Sequence, residues 1–230
     1  MANQRPKAII FDIIETIFAL ETVRPELVRL GLQASDLETW FAFGLRDAFT
    51  LNATRAVKPF PEILKGALAQ LLAKRELDPP VEDRERVFEA MRNMSAHDDA
   101  AEALAILRDA NLPVYALSNG ARASTQSLLD NAGLTHFFTD LLSVESIDQF
   151  KPSKPVYDHG VAATGQRAAD VMLVATHAWD CHGAKMAGMQ AAFVARGQVY
   201  PDVMVAPDLT GVELLDVAHS IVNLNAPAER

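Results

Sequence analysis

Four apolar residues in succession, Ala8 to Phe11, end on a carboxylate, Asp12. A continuous apolar run without alternation reads as a strand buried on both faces, the signature of a parallel sheet. A parallel sheet needs crossover helices, so this short segment already commits the chain to an α/β architecture. It also places Asp12 at the carboxyl end of its strand, where open α/β sheets form their ligand crevices. A carboxylate there is a nucleophile, a metal ligand or a cap for the following turn.

The rest of the chain falls into two further parts. Residues 19–96 read as all-helical, with amphipathic stretches near 24–31, 36–51, 59–75 and 82–94 separated by Gly31, Pro59 and Pro79-Pro80. From 98 onward helix and strand alternate: helix 98–110, strand 113–118, helix 121–132 stopped by Gly133, strand 140–144, helix 154–165 ending on Gly165, strand 171–175, helix 181–188, strand 191–194, an edge strand at 203–206, and a last amphipathic helix 210–224. Repeated βα units predict a Rossmann-like parallel sheet core with helices on both faces. The helical block inserted after the first strand is then an all-helical cap over the strand ends. The expected division is a core of residues 1–18 and 97–230 and a cap of residues 19–96.

Composition narrows the function classes. A net charge of −9 argues against nucleic acid and anionic membrane surfaces as partners. An anionic substrate would need local positive charge against that field. Cys181 is the lone cysteine, so no internal disulfide forms and a reducing cytoplasm is the expected compartment. The first six residues are short and polar, and the apolar run after them stops at Asp12; this reads as neither a signal peptide nor a membrane span.

Three more polar clusters each follow a predicted strand and so reach the same sheet edge as Asp12. Ser118-Asn119-Gly120 stands before a helix, where backbone N–H groups and the helix dipole cradle an anion; simple helix capping would explain the same residues. Lys151 precedes Pro152 on a rigid turn, where an ammonium would keep Asp12 ionised and hold an anionic substrate. Thr176 to Asp180 follow strand 171–175. Asp180 is either a site carboxylate or the cap of the next helix, and His177 is a proton acceptor or a structural histidine.

The order Asp12 and Thr16, Ser118-Asn119-Gly120, Lys151-Pro152, then Asp180 resembles the haloacid dehalogenase superfamily. LSNG, FKPSKPVY and AWDCHGAKMAGM are similar to its 2-haloacid dehalogenase branch. The resemblance covers the whole chain, and dimers are common in that branch, with which the apolar cap helices are compatible. It implies that Asp12 is a nucleophile forming a covalent ester that water cleaves. It further implies that Thr16, Ser118 and Asn119 position the nucleophile and the substrate's anionic group, that Lys151 neutralises charge, and that Asp180 orients Lys151 or the attacking water.

The departures from the pattern are chemically specific. The superfamily's phosphatases carry a second Asp two residues after the nucleophile and a Mg²⁺ site with an acidic pair in the last loop. Here Ile14 and Thr176 stand at those places. A halide leaving group needs neither protonation nor metal, so the expected reaction is halide displacement from a small 2-haloacid with no cofactor. The alternatives are action on another small electrophile such as a phosphate ester, the one case that calls for Mg²⁺, and a catalytically silent member that binds an anion or a protein. The dehalogenase branch has an arginine after a cap tryptophan, but Trp40 is followed by Phe41; Arg46 and, near the cap hinge, Arg24 are the candidate substitutes. The branch has tyrosine where Ile14 stands, glycine where Glu15 stands, and a serine and an asparagine where Ala175 and His177 stand. A titratable imidazole in place of an amide makes His177 a candidate base for hydrolysing the Asp12 ester.

Overall fold

The computed structural model describes residues 4–225. Six parallel strands lie in the order β3-β2-β1-β4-β5-β6. They are β1 (Ala8–Phe11), β2 (Val114–Ser118), β3 (Asp140–Ser143), β4 (Val171–Ala175), β5 (Gln190–Val194) and β6 (Leu209–Gly211). Every residue of β1, β2 and β4 is buried, which is what apolar strands covered on both faces require. Phe11 pairs with Ala116 on one side and Val174 on the other. The ends of β1, β2 and β4 therefore stand side by side, and the polar residues that follow each strand leave the sheet at neighbouring points.

Four helices separate β1 from the rest of the sheet: α1 (Arg24–Arg29), α2 (Asp36–Ala53), α3 (Phe60–Lys74) and α4 (Val81–Arg92). α2 packs on α3 and α1 on α4. Trp40 is fully buried among them, donating its indole N–H to the Leu64 carbonyl at 3.0 Å and meeting the edge of Phe88. The chain leaves the sheet layer at Phe18 and returns at Ala96, and these two residues pair antiparallel. Bonds from the Ala19 N–H to Ser95 O and from the His97 N–H to Ile17 O, each 2.9 Å, flank that pair. The sheet is completed by α5 (Ala100–Asp109), α6 (Arg122–Asn131), α7 (Lys154–Thr164), α8 (Ala178–Met186) and α9 (Leu214–Val222). α5 packs on α9, and α7 on α8. Gly133 and Gly165 take φ of 69° and 66°, the left-handed stops expected after α6 and α7. No helix among the described residues is long and apolar enough to cross a membrane.

One sequence expectation fails near the C-terminus, and two helix starts shift. Residues 203–206 are not a strand; the edge strand is Leu209–Gly211, paired in parallel with β5. The VMVA stretch lies between Pro201 and Pro207, and its backbone is satisfied locally instead: Tyr200 donates its hydroxyl to Val205 O at 2.7 Å, and the Val205 N–H donates to His182 Nδ1 at 3.1 Å. Because the edge strand takes residues 209–211, the last helix starts at Leu214 rather than 210, with Glu213 and Asp216 forming a reciprocal capping box. Helix α8 begins at Ala178, three residues earlier than expected, so Asp180 lies inside its first turn. Since Val203 is 88% exposed, Val203→Lys is expected to change the unfolding free energy by less than about 0.5 kcal/mol, whereas Trp40→Ala should cost about 3–5 kcal/mol. Urea denaturation of the two variants checks both.

Candidate active site

Five polar side chains gather around one buried ammonium. Lys151, in the loop between β3 and α7, has no exposed surface. Its Nζ donates to Asp12 Oδ1 at 2.8 Å and to Asp180 Oδ2 at 2.6 Å. The second Asp12 oxygen, Oδ2, accepts from the Thr16 hydroxyl at 2.9 Å and lies 3.2 Å from His177 Nδ1. Thr16 is held in turn, its hydroxyl accepting from the Thr176 N–H at 3.0 Å. Asp180 Oδ1 accepts from the Tyr157 hydroxyl at 2.7 Å.

Burial by itself would raise the Asp12 pKa, but Lys151 and His177 overrule it and hold the carboxyl well below the usual range. Burial likewise works against the Lys151 ammonium, and the two aspartates more than offset it, so its pKa is pushed up. Asp180 moves up, through burial and the charge of Asp12, against the pull of Lys151. The site thus presents an ionised carboxylate beside a permanently charged lysine.

His177 is a second cation. Its Nε2 lies 2.7 Å from Glu15 Oε2, so the imidazole bridges Asp12 and Glu15. Its ring is stacked between Phe41 and Trp179, with centroid distances of 5.9 and 5.1 Å and interplanar angles of 27°. Burial disfavours the charge, but the bonds to Asp12 and Glu15 prevail and lift the pKa to about 9. At neutral pH both ring nitrogens carry protons. With no free lone pair, the imidazolium is not a proton acceptor in this resting arrangement. Glu15 holds a φ of 66°, a conformation suited to glycine, and its carbonyl lies 3.0 Å from His97 Nε2. The Glu15 charge so close to Asp12 is answered by the imidazolium placed between them.

The remaining sequence candidates divide. Asn119 serves the site through its Oδ1, which accepts from the Lys151 N–H at 2.9 Å. Ser118 Oγ accepts from the Gly120 N–H at 2.9 Å. Neither side chain caps α6, whose N-cap is Ala121. Asp180 caps nothing; its oxygens go to Lys151 and Tyr157. Arg46 is not brought to Asp12: it lies half-exposed on α2, bonded to Asp47 and Gln70, because five residues of helix turn it away from the face that carries Phe41. Arg24 lines a cavity of about 490 Å³ with Glu15, His97 and His177, but its guanidinium is held by Glu21, Glu38 and the Ala34 carbonyl.

Two further residues bear on the site, Tyr157 with a weak sequence signal and Asn52 with none. Tyr157 sits in the FKPSKPVY stretch one turn into α7, and its ring passes against Gly183, where a Cβ would collide with the hydroxyl. That glycine, in α8 three residues after Asp180, was the available clue. Asn52, from the cap helix α2, bonds Ser153 Oγ at 2.5 Å and accepts from the Phe150 N–H at 3.0 Å, gripping the Lys151 loop from both sides. Nothing in its local sequence marks it.

A divalent cation does not suit this donor set. The place between the two carboxylates is taken by the Lys151 ammonium, and Ile14 and Thr176 supply no further carboxylate.

Comparison with known proteins gives a consistent picture. Residues 6–188 match the family model described as haloacid dehalogenase-like hydrolase. The chain is 31% identical to the (S)-2-haloacid dehalogenase of Xanthobacter autotrophicus over 83% of this chain and 75% of the relative. It is 25% identical to that of Pseudomonas sp. (strain YL) over 97% and 98%. A solved structure of L-2-haloacid dehalogenase from Xanthobacter autotrophicus, with chloropropionic acid covalently bound, aligns with a TM-score of 0.87 at 25% identity, covering 95% of this chain and 99% of that one.

The raised His177 pKa also makes stability depend on pH. A group whose pKa is higher folded than unfolded stabilises fully below its unfolded value, near 6.5, and loses that contribution as pH rises through the folded value, about 9. The unfolding free energy of the parent is therefore expected to fall by up to roughly 3 kcal/mol between those limits, and much less in His177→Asn. Urea titrations at a series of pH values measure the difference.

Proposed function

The chain belongs to the haloacid dehalogenase-like hydrolases, and we propose that it displaces halide from small 2-haloacids through attack by the Asp12 carboxylate. The observation that carries this reading is the Asp12–Lys151–Asp180 cluster, a carboxylate kept ionised at a strand end by a buried ammonium. The relatives' dehalogenase names support it, as does the covalently bound chloropropionic acid in one neighbouring structure. The 19–96 helices act as a cap that shields the reaction from water.

In the first step an Asp12 oxygen bonds to C2 of the acid as the carbon–halogen bond breaks, giving an ester and a free halide. No proton moves and no metal is needed, which accords with Ile14 in place of a general acid. Ester formation removes the Asp12 charge, so His177 keeps Glu15 alone as an anionic partner. Its pKa falls, the Nδ1 proton is lost to solvent through the cavity that His177 lines while Nε2–H stays on Glu15, and Nδ1 acquires a lone pair beside the ester. Water then adds to the ester carbon while its proton passes to His177. The departing alkoxide takes a proton, the regenerated carboxyl gives one up, and Asp12 and the imidazolium return to their starting states. Lys151 stabilises the negative charge that develops on oxygen, and Tyr157 with Asp180 holds the ammonium in place.

The test is release of halide from a panel of 2-haloacids, against release of phosphate from phosphate esters, each with and without EDTA. Halide release unaffected by EDTA is expected; phosphate release that EDTA abolishes would overturn the reading. Asp12→Asn should lose about a thousandfold or more in rate. His177→Asn should accumulate a covalent adduct, visible as added intact mass. If it turns over at the parent rate with no adduct, His177 is not the base.

A further inference from the structure

Glu15 takes a conformation that its residue type disfavours. Its φ of 66° lies in the left-handed region, where glycine is at ease and a longer side chain is strained. Two bonds hold it there: its N–H donates to Phe18 O at 2.7 Å, and its carbonyl lies 3.0 Å from His97 Nε2. Strain of this kind persists where it serves a contact that the turn alone does not need. Here the contact is with His177, whose Nε2 lies 2.7 Å from Glu15 Oε2. Stacking with Phe41 and Trp179 sets the plane of the imidazole. The bond at Nε2 sets its rotation within that plane and so turns Nδ1 onto Asp12 Oδ2, 3.2 Å away. Positions 15 and 177 both depart from the 2-haloacid dehalogenases to which the sequence is similar, and they depart as a contacting pair.

We propose that Glu15 is a positioning residue for the second step, acting through His177: it keeps a proton on Nε2, so that Nδ1 alone takes the proton of the attacking water. The inference rests on the dehalogenase reading above and adds to it the group that prepares the base. As the water oxygen bonds to the Asp12 carboxyl carbon, one water proton passes to Nδ1, and the ring becomes an imidazolium with Nε2–H still on Glu15. The resting site already holds that cation, with Glu15 on one side and the Asp12 oxygens on the other. Glu15 therefore steadies the positive charge as it develops on the ring. The other charged groups that face the imidazole have partners of their own. Lys151 lies beyond Asp12, and around the shared cavity Arg24 is paired with Glu21 and Glu38, Arg196 with Asp99, and His97 with the Glu15 carbonyl.

The experiment follows decay of the covalent ester against pH, read by rapid-quench intact mass after mixing with 2-chloropropanoate, in the full-length parent, Glu15→Gln and Glu15→Gly. Removing the carboxylate lowers the pKa of His177 beside the ester, so the rising limb of the decay rate is expected about one pH unit or more lower in both variants. The plateau above the limb should fall by roughly ten- to a hundredfold in Glu15→Gly, and less in Glu15→Gln, whose amide oxygen still accepts from Nε2–H. Combined with His177→Asn, Glu15→Gly should leave the decay rate at the His177→Asn value instead of multiplying the two losses. Glycine takes the φ of position 15 without strain, and circular dichroism establishes that each variant is folded. An unmoved limb at the parent rate, a uniform loss at every pH, or losses that multiply overturns the role of Glu15 and leaves the dehalogenase reading standing. Absence of both ester and halide from the parent with every 2-haloacid of the panel overturns that reading and the role of Glu15 with it.

Discussion

Everything at the sheet edge depends on one ammonium buried between two carboxylates. Taking Lys151 wholly out of water is costly, and Asp12 and Asp180, both within hydrogen-bond distance, do most to offset that cost. The arrangement is mutual. Without the lysine, two buried carboxylates would face one another and one would take up a proton. With it, Asp12 stays ionised in surroundings that otherwise favour the neutral acid. The secondary contacts follow from this demand: Asn119 fixes the lysine's backbone, Tyr157 satisfies the far oxygen of Asp180, and Gly183 leaves room for the Tyr157 ring.

A second charge balance is built beside the first. Glu15 adds a third carboxylate to the neighbourhood, and His177 answers it with an imidazolium that touches both Glu15 and Asp12. Phe41 occupies the place directly after Trp40 where an arginine was expected, and its ring lies over that imidazolium. A cation from the core thus stands against the aromatic residue at that place. The three departures at positions 15, 41 and 177 form one contact group rather than three separate losses.

Much of this was legible in the sequence, for identifiable reasons. Apolar runs of parallel-sheet character located β1, β2 and β4, whose carboxyl ends gave Asp12, Ser118, Asn119 and Asp180, and the Lys-Pro turn after β3 gave Lys151. The reading failed where propensity and tertiary context parted. VMVA has the composition of a strand but lies between prolines, with its backbone groups bonded to a tyrosine hydroxyl and an imidazole. Arg46 has the right charge for the site but the wrong helical phase, which only the observed orientation of α2 reveals. His177 was recognisable as titratable, but its protonation depends on Glu15, 162 positions earlier in the chain, through a contact that no local pattern records. Asn52 was invisible for the same reason: its partners lie about a hundred residues away.

Asn52 also gives the molecule an interlock. It projects from the cap, yet both arms of its amide grip the loop that carries Lys151. A displacement of α2 away from the sheet breaks those two bonds and loosens the backbone on either side of the lysine. The place of α2 and the backbone path of the lysine loop are thus not independent: one amide ties a helix of the 19–96 block to the segment that delivers the buried ammonium.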